Sequence, residues 1–350
     1  MSTDSNALNS FLSGAVADLG AAMSGVLVGI GDELGFYREL AQGPLTPHEL
    51  ATRTHTSERC VREWLANQAA GGLVCFEPAF GRYHLNEAQA ACLSGPGSPF
   101  DLAGTYRVIE DFYRVRKRVV ETFRTGERLD LSEHQPSFFD GVERFYGAIY
   151  RNHLLTSWLP ALEGVVEKLS VHAAVADLGC GQGGAIVQLA QSFPASEFIG
   201  VDNQPLALEM ARRRAREANA GNVRFVLADA AAFREGPMDL ILLLNSLHSM
   251  VDPAAVLRHA YHQLRDDGHV LIVAPRAGDR VENNLTPVGR MYYAASVMAS
   301  VPTTISAEGA KLGSQAGEKR LQELITEEGG FTRFRHVGET PLSLVMEARR

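Results

Sequence analysis

The residues with the clearest chemical potential lie half way along the chain, in Val175-Ala-Asp-Leu-Gly-Cys-Gly-Gln-Gly-Gly184. Small and apolar residues lead into Asp177, and glycines follow at Gly179, Gly181 and Gly183 before a helical run. This order predicts a strand, a tight turn and the start of a helix. Glycines let a backbone approach a ligand closely, and the first helical turn has free N–H groups for a polar or anionic group. The stretch therefore predicts a site for a nucleotide-like cofactor.

Two cofactor classes fit this turn. Gly179, Gly181 and Gly184 match the G-x-G-x-x-G fingerprint of dinucleotide folds. The acid two residues before the first glycine favours a second class, because Asp177-x-Gly179-x-Gly181-x-Gly183 resembles motif I of class I S-adenosylmethionine-dependent methyltransferases. In that family the acid and the glycines hold the methionine end of the cofactor. An anionic Asp177 suits a sulfonium ligand that carries an ammonium group, and it would repel a pyrophosphate.

More polar residues follow the next candidate strands. Asp202 ends the second strand, 19 positions after Gly183, and resembles the acid that binds the cofactor's ribose hydroxyls. Asp229 and Ala230 end the third strand and resemble the adenine-binding corner of the family. The resemblance thus implies a cofactor-binding set that consists of Asp177, Gly179, Gly181, Gly183, Asp202, Asn203, Asp229, Ala230 and Asn245.

One histidine is the candidate for chemistry on the methyl acceptor. The segment Asn245–Pro253 follows an apolar fourth strand, and in many small-molecule O-methyltransferases this place reads Leu-His-Asp-Trp or Leu-His-Asp-Met, with the histidine as general base. His248 matches that base, whereas Ser249 departs from the aspartate. Any orienting role of that acid must then be absent or supplied elsewhere. The alternative is a core or helix-capping histidine.

Aromatic residues crowd the segment before the cofactor domain. Spaced aromatics of this kind belong more often to a core than to a pocket, but a domain junction is where small-molecule sites usually form. A further apolar segment, 291–298, could help to close such a pocket. The candidate substrate-pocket residues are Phe138, Phe139, Tyr146, Tyr150 and Tyr292.

Strand and helix patterns alternate from residue 171 onward, as in a doubly wound sheet. The predicted fold is α/β, with a Rossmann-like seven-stranded methyltransferase sheet that ends in a terminal antiparallel hairpin. A mostly helical winged-helix domain precedes it. We expect three parts, in which residues 1–93 form the N-terminal helices and winged-helix module, 94–170 a linker and helical connector, and 171–350 the S-adenosylmethionine-binding domain.

A winged helix is predicted from the order helix, turn, helix and hairpin. Thr46 caps a helix to about Thr54, a second helix follows Ser57, and Leu73–Phe76 and Arg82–Leu85 form the hairpin. A DNA-binding interpretation would use Arg59 and Arg62 of the second helix, but Glu58 and Glu63 offset them, which leaves too little charge for several phosphates. We therefore expect a dimerisation and lid module.

Composition limits the classes of partner that we expect for this protein. The chain has 350 residues and a formal net charge of −8, which argues against a general affinity for nucleic acid. The four cysteines lack metal-ligand spacing, and no cleavable signal peptide precedes them, so we expect reduced thiols, no metal and a cytoplasmic protein. The apolar run from Phe11 to Leu34 contains Asp18, Asp32 and Glu33, which favours one or two closely packed helices over a membrane span. These helices pack either in one subunit or across a homodimer interface.

The sequence therefore predicts methyl transfer from S-adenosyl-L-methionine to a small natural-product-like metabolite of secondary metabolism, most simply to a hydroxyl group, with S-adenosyl-L-homocysteine as the product. Three alternatives stay open. The first is a C- or N-methyltransferase of the same fold. The second is a cofactor-binding enzyme that does not methylate, of the pericyclase or decarboxylase type, and Ser249 is the motive for it. The third is a winged-helix DNA-binding regulator.

Overall fold

The computed structural model describes residues 5–305 and 312–350. The helices are α1 Ser5–Glu33, α2 Phe36–Leu40, α3 Pro47–Thr54, α4 Glu58–Ala70, α5 Glu87–Leu93, α6 Leu102–Thr125, α7 Pro136–His153, α8 Val165–Val171, α9 Gly184–Ser192, α10 Pro205–Glu217, α11 Pro253–Gln263, α12 Pro287–Ala295, α13 Val301–Thr304 and α14 Glu318–Glu323. The strands are β1 Cys75–Glu77, β2 Arg82–His84, β3 Ala174–Leu178, β4 Glu197–Asp202, β5 Val223–Leu227, β6 Met238–Leu244, β7 Leu264–Pro275, β8 Arg333–Glu339 and β9 Ser343–Arg349.

The chain divides into two compact units. The first comprises Met1–Glu110 and Asp140–Ala148, and the second comprises Asp111–Phe139 and Ile149–Arg350, in each case over the residues that the structure describes. The predicted connector, 94–170, is therefore shared between the units because α6 and α7 each contribute to both.

A seven-stranded sheet forms the second unit, in the order β5-β4-β3-β6-β7-β9-β8. The strands from β5 to β7 run parallel, and β9 pairs antiparallel with both β7 and β8. The predicted doubly wound sheet with a terminal antiparallel hairpin is confirmed. Because β4 and β5 lie on one side of β3 and β6 and β7 on the other, the order of strand addition reverses between β3 and β6, and the carboxyl ends of these two strands border the crevice where such folds bind ligands.

The burial of β6 fits its central position in the sheet. Residues of β6 are almost all buried and apolar, as a central parallel strand requires, since helices cover both of its faces. The neighbouring strand begins earlier than its sequence indicates. Asp267-Gly268 predicts a turn between α11 and a strand over 269–275, but β7 begins at Leu264, and the ladder shifts register between Met238 and Leu240.

The first unit contains the predicted winged helix. Thr46 and Glu49 form a reciprocal capping box at the start of α3, with Thr46 Oγ1 accepting from the Glu49 amide at 3.2 Å. Ser57 occupies the N-cap position of α4 without a side-chain capping hydrogen bond. The hairpin is shorter than expected, with three residue pairs from Cys75↔His84 to Glu77↔Arg82.

The predicted N-terminal helices are one helix, α1, whose end is fixed by a buried ion cluster. Arg144 Nη2 donates to Asp101 Oδ1 at 2.6 Å and to Asp32 Oδ1 at 2.8 Å. Both carboxylates are almost fully buried, so the arginine neutralises charges that burial would otherwise make costly.

Most of α1 before this cluster is exposed and apolar. Among the described residues it alone has the length and composition that could cross a membrane, and one such helix near the start of a chain is weak evidence for a span.

Several connector segments differ from a simple helical pattern. The pattern over 154–169 predicts helix segments with Pro160 near their middle. The structure has a π-helical turn over 154–158 and a 3-10 turn over 159–161, which contains Pro160, before α8. The sequence predicts a helix over 315–328, and the structure has α14 from Glu318, followed by a π-helical turn over 324–328.

Candidate functional site

The loop between β3 and α9 is fixed against the neighbouring strand β4. The amides of Gly179 and Cys180 both donate to the Val201 carbonyl, at 2.8 and 3.0 Å. Gly179 has a φ of 79°, and a Cβ added there would lie 2.6 Å from Cβ of Ser246. Both the backbone angle and the crowding therefore require glycine at this position.

Gly181 has a different reason to be glycine. Its φ is 54°, but a Cβ there would meet nothing within 4 Å. The backbone is thus bare and open on this side, which leaves room for a ligand to approach it. The Gly181 amide donates to Asp202 Oδ2 at 2.9 Å, so the loop is tied to the end of β4.

Asp202 joins two backbone segments. Its Oδ2 holds the Gly181 amide, and its Oδ1 accepts from the Gln204 amide at 2.9 Å. Burial raises the pKa of Asp202 above its ordinary value, although the amides of Gln204, Gly181 and Asn203 act in the opposite direction. Each carboxylate oxygen has two lone pairs, so both oxygens retain capacity for ribose hydroxyl donors.

Asp177 lies at the buried end of β3, with 2% of its surface exposed. The strand pairs it with Gly200 on one side and with Leu242 on the other. A carboxylate at this depth favours positively charged or hydrogen-bond-donating neighbours, which suits the predicted role of holding a cationic cofactor group. Its position before Gly179 is the one that the resemblance requires.

Asn245 follows β6 at the same edge of the sheet. Its φ of 52° is unusual for a residue with a side chain. Its Nδ2 donates to the Tyr150 hydroxyl at 3.3 Å, and that hydroxyl donates to the Leu244 carbonyl at 3.0 Å. Asn245 Oδ1 is buried without a hydrogen-bond partner among the described residues. A bound molecule with an N–H or O–H donor would satisfy this oxygen, so the edge fits a polar cofactor.

His248 lies three residues after Asn245, in a 3-10 turn over 247–249. Burial is the cause that lowers its pKa to about 4, so the imidazole is neutral at physiological pH. Within the described part of the chain, Nδ1 is buried and has no hydrogen-bond partner. Ser249 is exposed, and its amide donates to the Ser246 carbonyl at 2.9 Å. No acid at this position orients the histidine ring.

The remaining predicted site residues differ in burial and in hydrogen bonding. Asp229 is exposed, with Oδ1 accepting from the Ala231 amide at 2.8 Å, and Asn203 is also exposed. Tyr292 is buried, and its hydroxyl donates to the Leu342 carbonyl at 2.7 Å. Tyr146 belongs to the first unit and makes an edge contact with Phe145.

Phe138 and Phe139 are in the second unit, with ring centroids 5.3 Å apart. Tyr150 is the predicted pocket residue that the structure brings to the cofactor edge, through its contact with Asn245. The pocket role of all these aromatics stays a prediction.

Sequence reasoning missed two contributors to this edge. Ser246 Oγ donates to the Leu178 carbonyl at 2.8 Å and thereby joins the ends of β6 and β3. The Gln204 amide supplies the second hydrogen bond to Asp202. The sequence offers no signal for a backbone amide, whereas a serine directly after Asn245 was a visible candidate. No cluster of potential metal ligands occurs within the described ranges, 5–305 and 312–350.

These features are typical of a Rossmann-like nucleotide-cofactor domain, and the predicted residues Asp177, Asp202 and Asn245 lie at the carboxyl ends of β3, β4 and β6. Residues 169–329 match the family model for a methyltransferase domain, and residues 22–95 match an Rv2258c-like winged HTH domain. The chain therefore combines a winged HTH domain with a methyltransferase domain.

Solved structures extend the likeness over the whole chain. A putative O-methyltransferase from Nostoc punctiforme is 21% identical with a TM-score of 0.71, and the match covers 100% of both chains. Human N-acetylserotonin methyltransferase in complex with S-adenosylmethionine is 18% identical with a TM-score of 0.71, covering 100% of this chain and 99% of that one. The fold is that of S-adenosylmethionine-dependent O-methyltransferases, which supports this cofactor over a dinucleotide.

Curated relatives match a shorter stretch. A tRNA (guanine-N(7)-)-methyltransferase of Rubrobacter xylanophilus is 38% identical over 92 residues, which is 26% of this chain and 34% of that protein. A trans-aconitate 2-methyltransferase of an Enterobacter species is 36% identical over 100 residues, which is 28% of this chain and 38% of that protein. The chain thus spans about a third of the length of these relatives.

We predict that Asp202→Asn weakens binding of S-adenosylhomocysteine by about 10- to 100-fold, because the amide loses the charge-assisted bonds and its NH2 group opposes the Gly181 or Gln204 N–H. Isothermal titration calorimetry measures this change. Asp266→Asn is the matched control, since that side chain is fully exposed. Equal affinities for Asp202→Asn and wild type would remove Asp202 from the site.

Proposed function

We propose that this protein transfers a methyl group from S-adenosylmethionine to a hydroxyl group of a small natural-product-like molecule. The observation that carries the proposal is the place of His248, a buried neutral imidazole at the edge of the sheet that holds the glycine-rich loop. Asp177, Gly179, Gly181, Gly183, Asp202, Asn203, Asp229, Ala230 and Asn245 would hold the cofactor. Mitomycin 7-O-methyltransferase, which has a similar fold at a TM-score of 0.68, supports an acceptor of this class.

When bound, the cofactor supplies an electrophilic methyl group on a sulfonium centre. The protein's part is to hold an acceptor oxygen in line with that methyl group and to remove the proton of the hydroxyl. A neutral imidazole can accept this proton, and one with a pKa of about 4 is already unprotonated at pH 7. Because no carboxylate follows at Ser249, the positive charge that develops on His248 has no adjacent counter-ion from that residue.

We predict that His248→Gln lowers the rate of methyl transfer by about 10²- to 10⁴-fold, because the variant has no proton acceptor. The wild-type kcat/KM should be flat from pH 8 to 6 and decline only toward the low histidine pKa of about 4. Release of S-adenosylhomocysteine with a panel of phenols and catechols measures both quantities. His262→Gln, at an exposed site on α11, is the control.

The same assay separates the alternatives. Equal wild-type and His248→Gln rates across pH 6–8 would indicate an acceptor that is already ionised, or a carbon or nitrogen acceptor. Substrate conversion without consumption of S-adenosylmethionine would indicate a pericyclase or decarboxylase. Salt-sensitive, sequence-specific duplex binding would indicate a regulator. For that last function the structure offers little charge, since Arg59 pairs with Glu63 and Arg62 with Glu58.

We also propose a cytoplasmic homodimer that forms through α1. Exposed apolar side chains recur along this helix at alternating spacings of four and three residues, in the series Leu12, Val16, Leu19, Met23, Val26 and Ile30. This is the period of a coiled-coil seam, and it leaves an apolar stripe that water solvates poorly. A second copy of α1 would cover it.

We predict that Leu19→Asp/Met23→Asp yields a monomer where the wild type is a dimer, because two buried charges would replace two apolar contacts. Light scattering after size-exclusion chromatography gives the mass. Ala21→Asp is the matched control, since it places the same charge on the exposed face opposite the seam. A monomeric wild type, or wild type that floats with lipid vesicles, would contradict the dimer proposal.

A further inference from the structure

A second histidine forms a dyad with a carboxylate outside the site described above. His134 Nδ1 lies 2.5 Å from Asp111 Oδ2, and both side chains are buried, with exposures of 0% and 1%. Asp111 also accepts from Gln135 N at 3.1 Å and from Arg114 Nε at 2.9 Å. Burial alone would raise the pKa of Asp111, but these three donors outweigh it and lower the pKa.

The dyad fixes which ring nitrogen of His134 carries the proton. An ionised carboxylate can only accept a hydrogen bond, so Nδ1 must donate to Asp111. In the neutral imidazole Nε2 is then a bare acceptor. This Nε2 is buried and has no hydrogen-bond partner in the described part of the chain. A buried acceptor in that state is unfavourable, so a donor from a bound molecule would stabilise it.

One aromatic ring stacks on the histidine, and two further rings pack against that ring. His134 stacks on Phe138, with centroids 4.2 Å apart and planes at 21°. Phe138 in turn contacts Phe139 at 5.3 Å and Phe112 at 6.1 Å. The stack holds the imidazole plane in one orientation and supplies flat apolar faces, which are the surroundings that a planar aromatic ligand prefers.

Asp111 lies on a face of α6 that leads toward the His248 turn. Asp111, Val115 and Val119 follow one another at four-residue spacing, and the two valines pack with Leu129 against Met298. The Leu129 amide donates to the Pro302 carbonyl at 2.9 Å. Pro302 belongs to α13, which lies against residues 247–249. All of these residues belong to the second unit.

We propose that the Asp111–His134 dyad is the polar anchor of the methyl acceptor, with His134 Nε2 accepting a hydrogen bond from a hydroxyl group of a planar aromatic molecule. The inference rests on the proposed function, since it names the substrate class for the same site. His134 is then a specificity-determining residue that touches substrate. Asp111 is a positioning residue that acts through the histidine ring.

Binding to full-length protein saturated with S-adenosylhomocysteine tests the anchor without any methyl transfer. The probes are 2-naphthol and 2-fluoronaphthalene, which share a planar shape but differ in the hydroxyl donor. The quantity of interest is the ratio of their dissociation constants, measured by fluorescence titration. We expect wild type to favour the naphthol, and His134→Phe to reduce this preference by about five- to tenfold, the size expected of one buried hydrogen bond.

His269→Gln is the matched control, because His269 and Glu347 form another buried histidine–carboxylate pair at 2.5 Å, within the sheet. It should leave the preference unchanged. His134→Asn, whose shorter amide can still donate to Asp111 from near the position of Nδ1 but leaves no acceptor at the position of Nε2, replaces His134→Phe if that variant does not unfold cooperatively, and the same loss is expected.

An unchanged preference in a folded His134 variant, as an internal water on Nε2 would produce, overturns the proposal. So does a wild type that binds neither probe. A lost preference together with no release of S-adenosylhomocysteine from S-adenosylmethionine would refute the proposed function and leave the anchor standing.

Discussion

One carboxylate organises the ligand edge of the sheet. Asp202 accepts the Gly181 amide with one oxygen and the Gln204 amide with the other, and it thereby joins the glycine-rich loop to the start of α10. Gly179 and Cys180 add two more bonds to the same strand through the Val201 carbonyl. The loop is therefore rigid before a ligand arrives, so binding does not have to supply the free energy of ordering it.

The predicted base, His248, and its neighbour Ser249 depart from the family pattern, whereas the predicted cofactor-binding residues follow it. His248 is neutral because it is buried, and Ser249 provides no carboxylate to stabilise the imidazolium. An imidazole in such surroundings is a weak base, so more of the rate enhancement has to come from alignment of acceptor and methyl group. The Asp111–His134 dyad has the opposite character, since its carboxylate holds the ring in one tautomer and leaves Nε2 as an acceptor.

The sheet could be predicted because each of its parallel strands is indicated by residues that are close together in the chain. Apolar strands that end in Asp177, Asp202 and Asn245, with glycines and helices between them, leave one common arrangement for a parallel sheet. The winged helix could be predicted for a similar reason, since the capping box at the start of α3 is formed by Thr46 and Glu49, which are three residues apart.

The rest depends on contacts between distant residues. No pattern in the sequence pairs Asp111 with His134, or Tyr150 with Asn245, because the two partners lie far apart in the chain. The early start of β7 has a related cause, since Met238 pairs with Leu264 across the sheet and residues 265–268 lie in the irregular stretch before Leu240 pairs with His269.

The acidic, glycine-rich edge of the sheet should bind a sulfonium cofactor in preference to a dinucleotide. Calorimetric titration of the full-length protein with S-adenosylhomocysteine and, in parallel, with NAD⁺ measures this preference. We predict saturable 1:1 binding of S-adenosylhomocysteine and none of NAD⁺ at the same concentrations, because Asp177 would repel the pyrophosphate. Binding of NAD⁺ with no binding of S-adenosylhomocysteine would contradict the account.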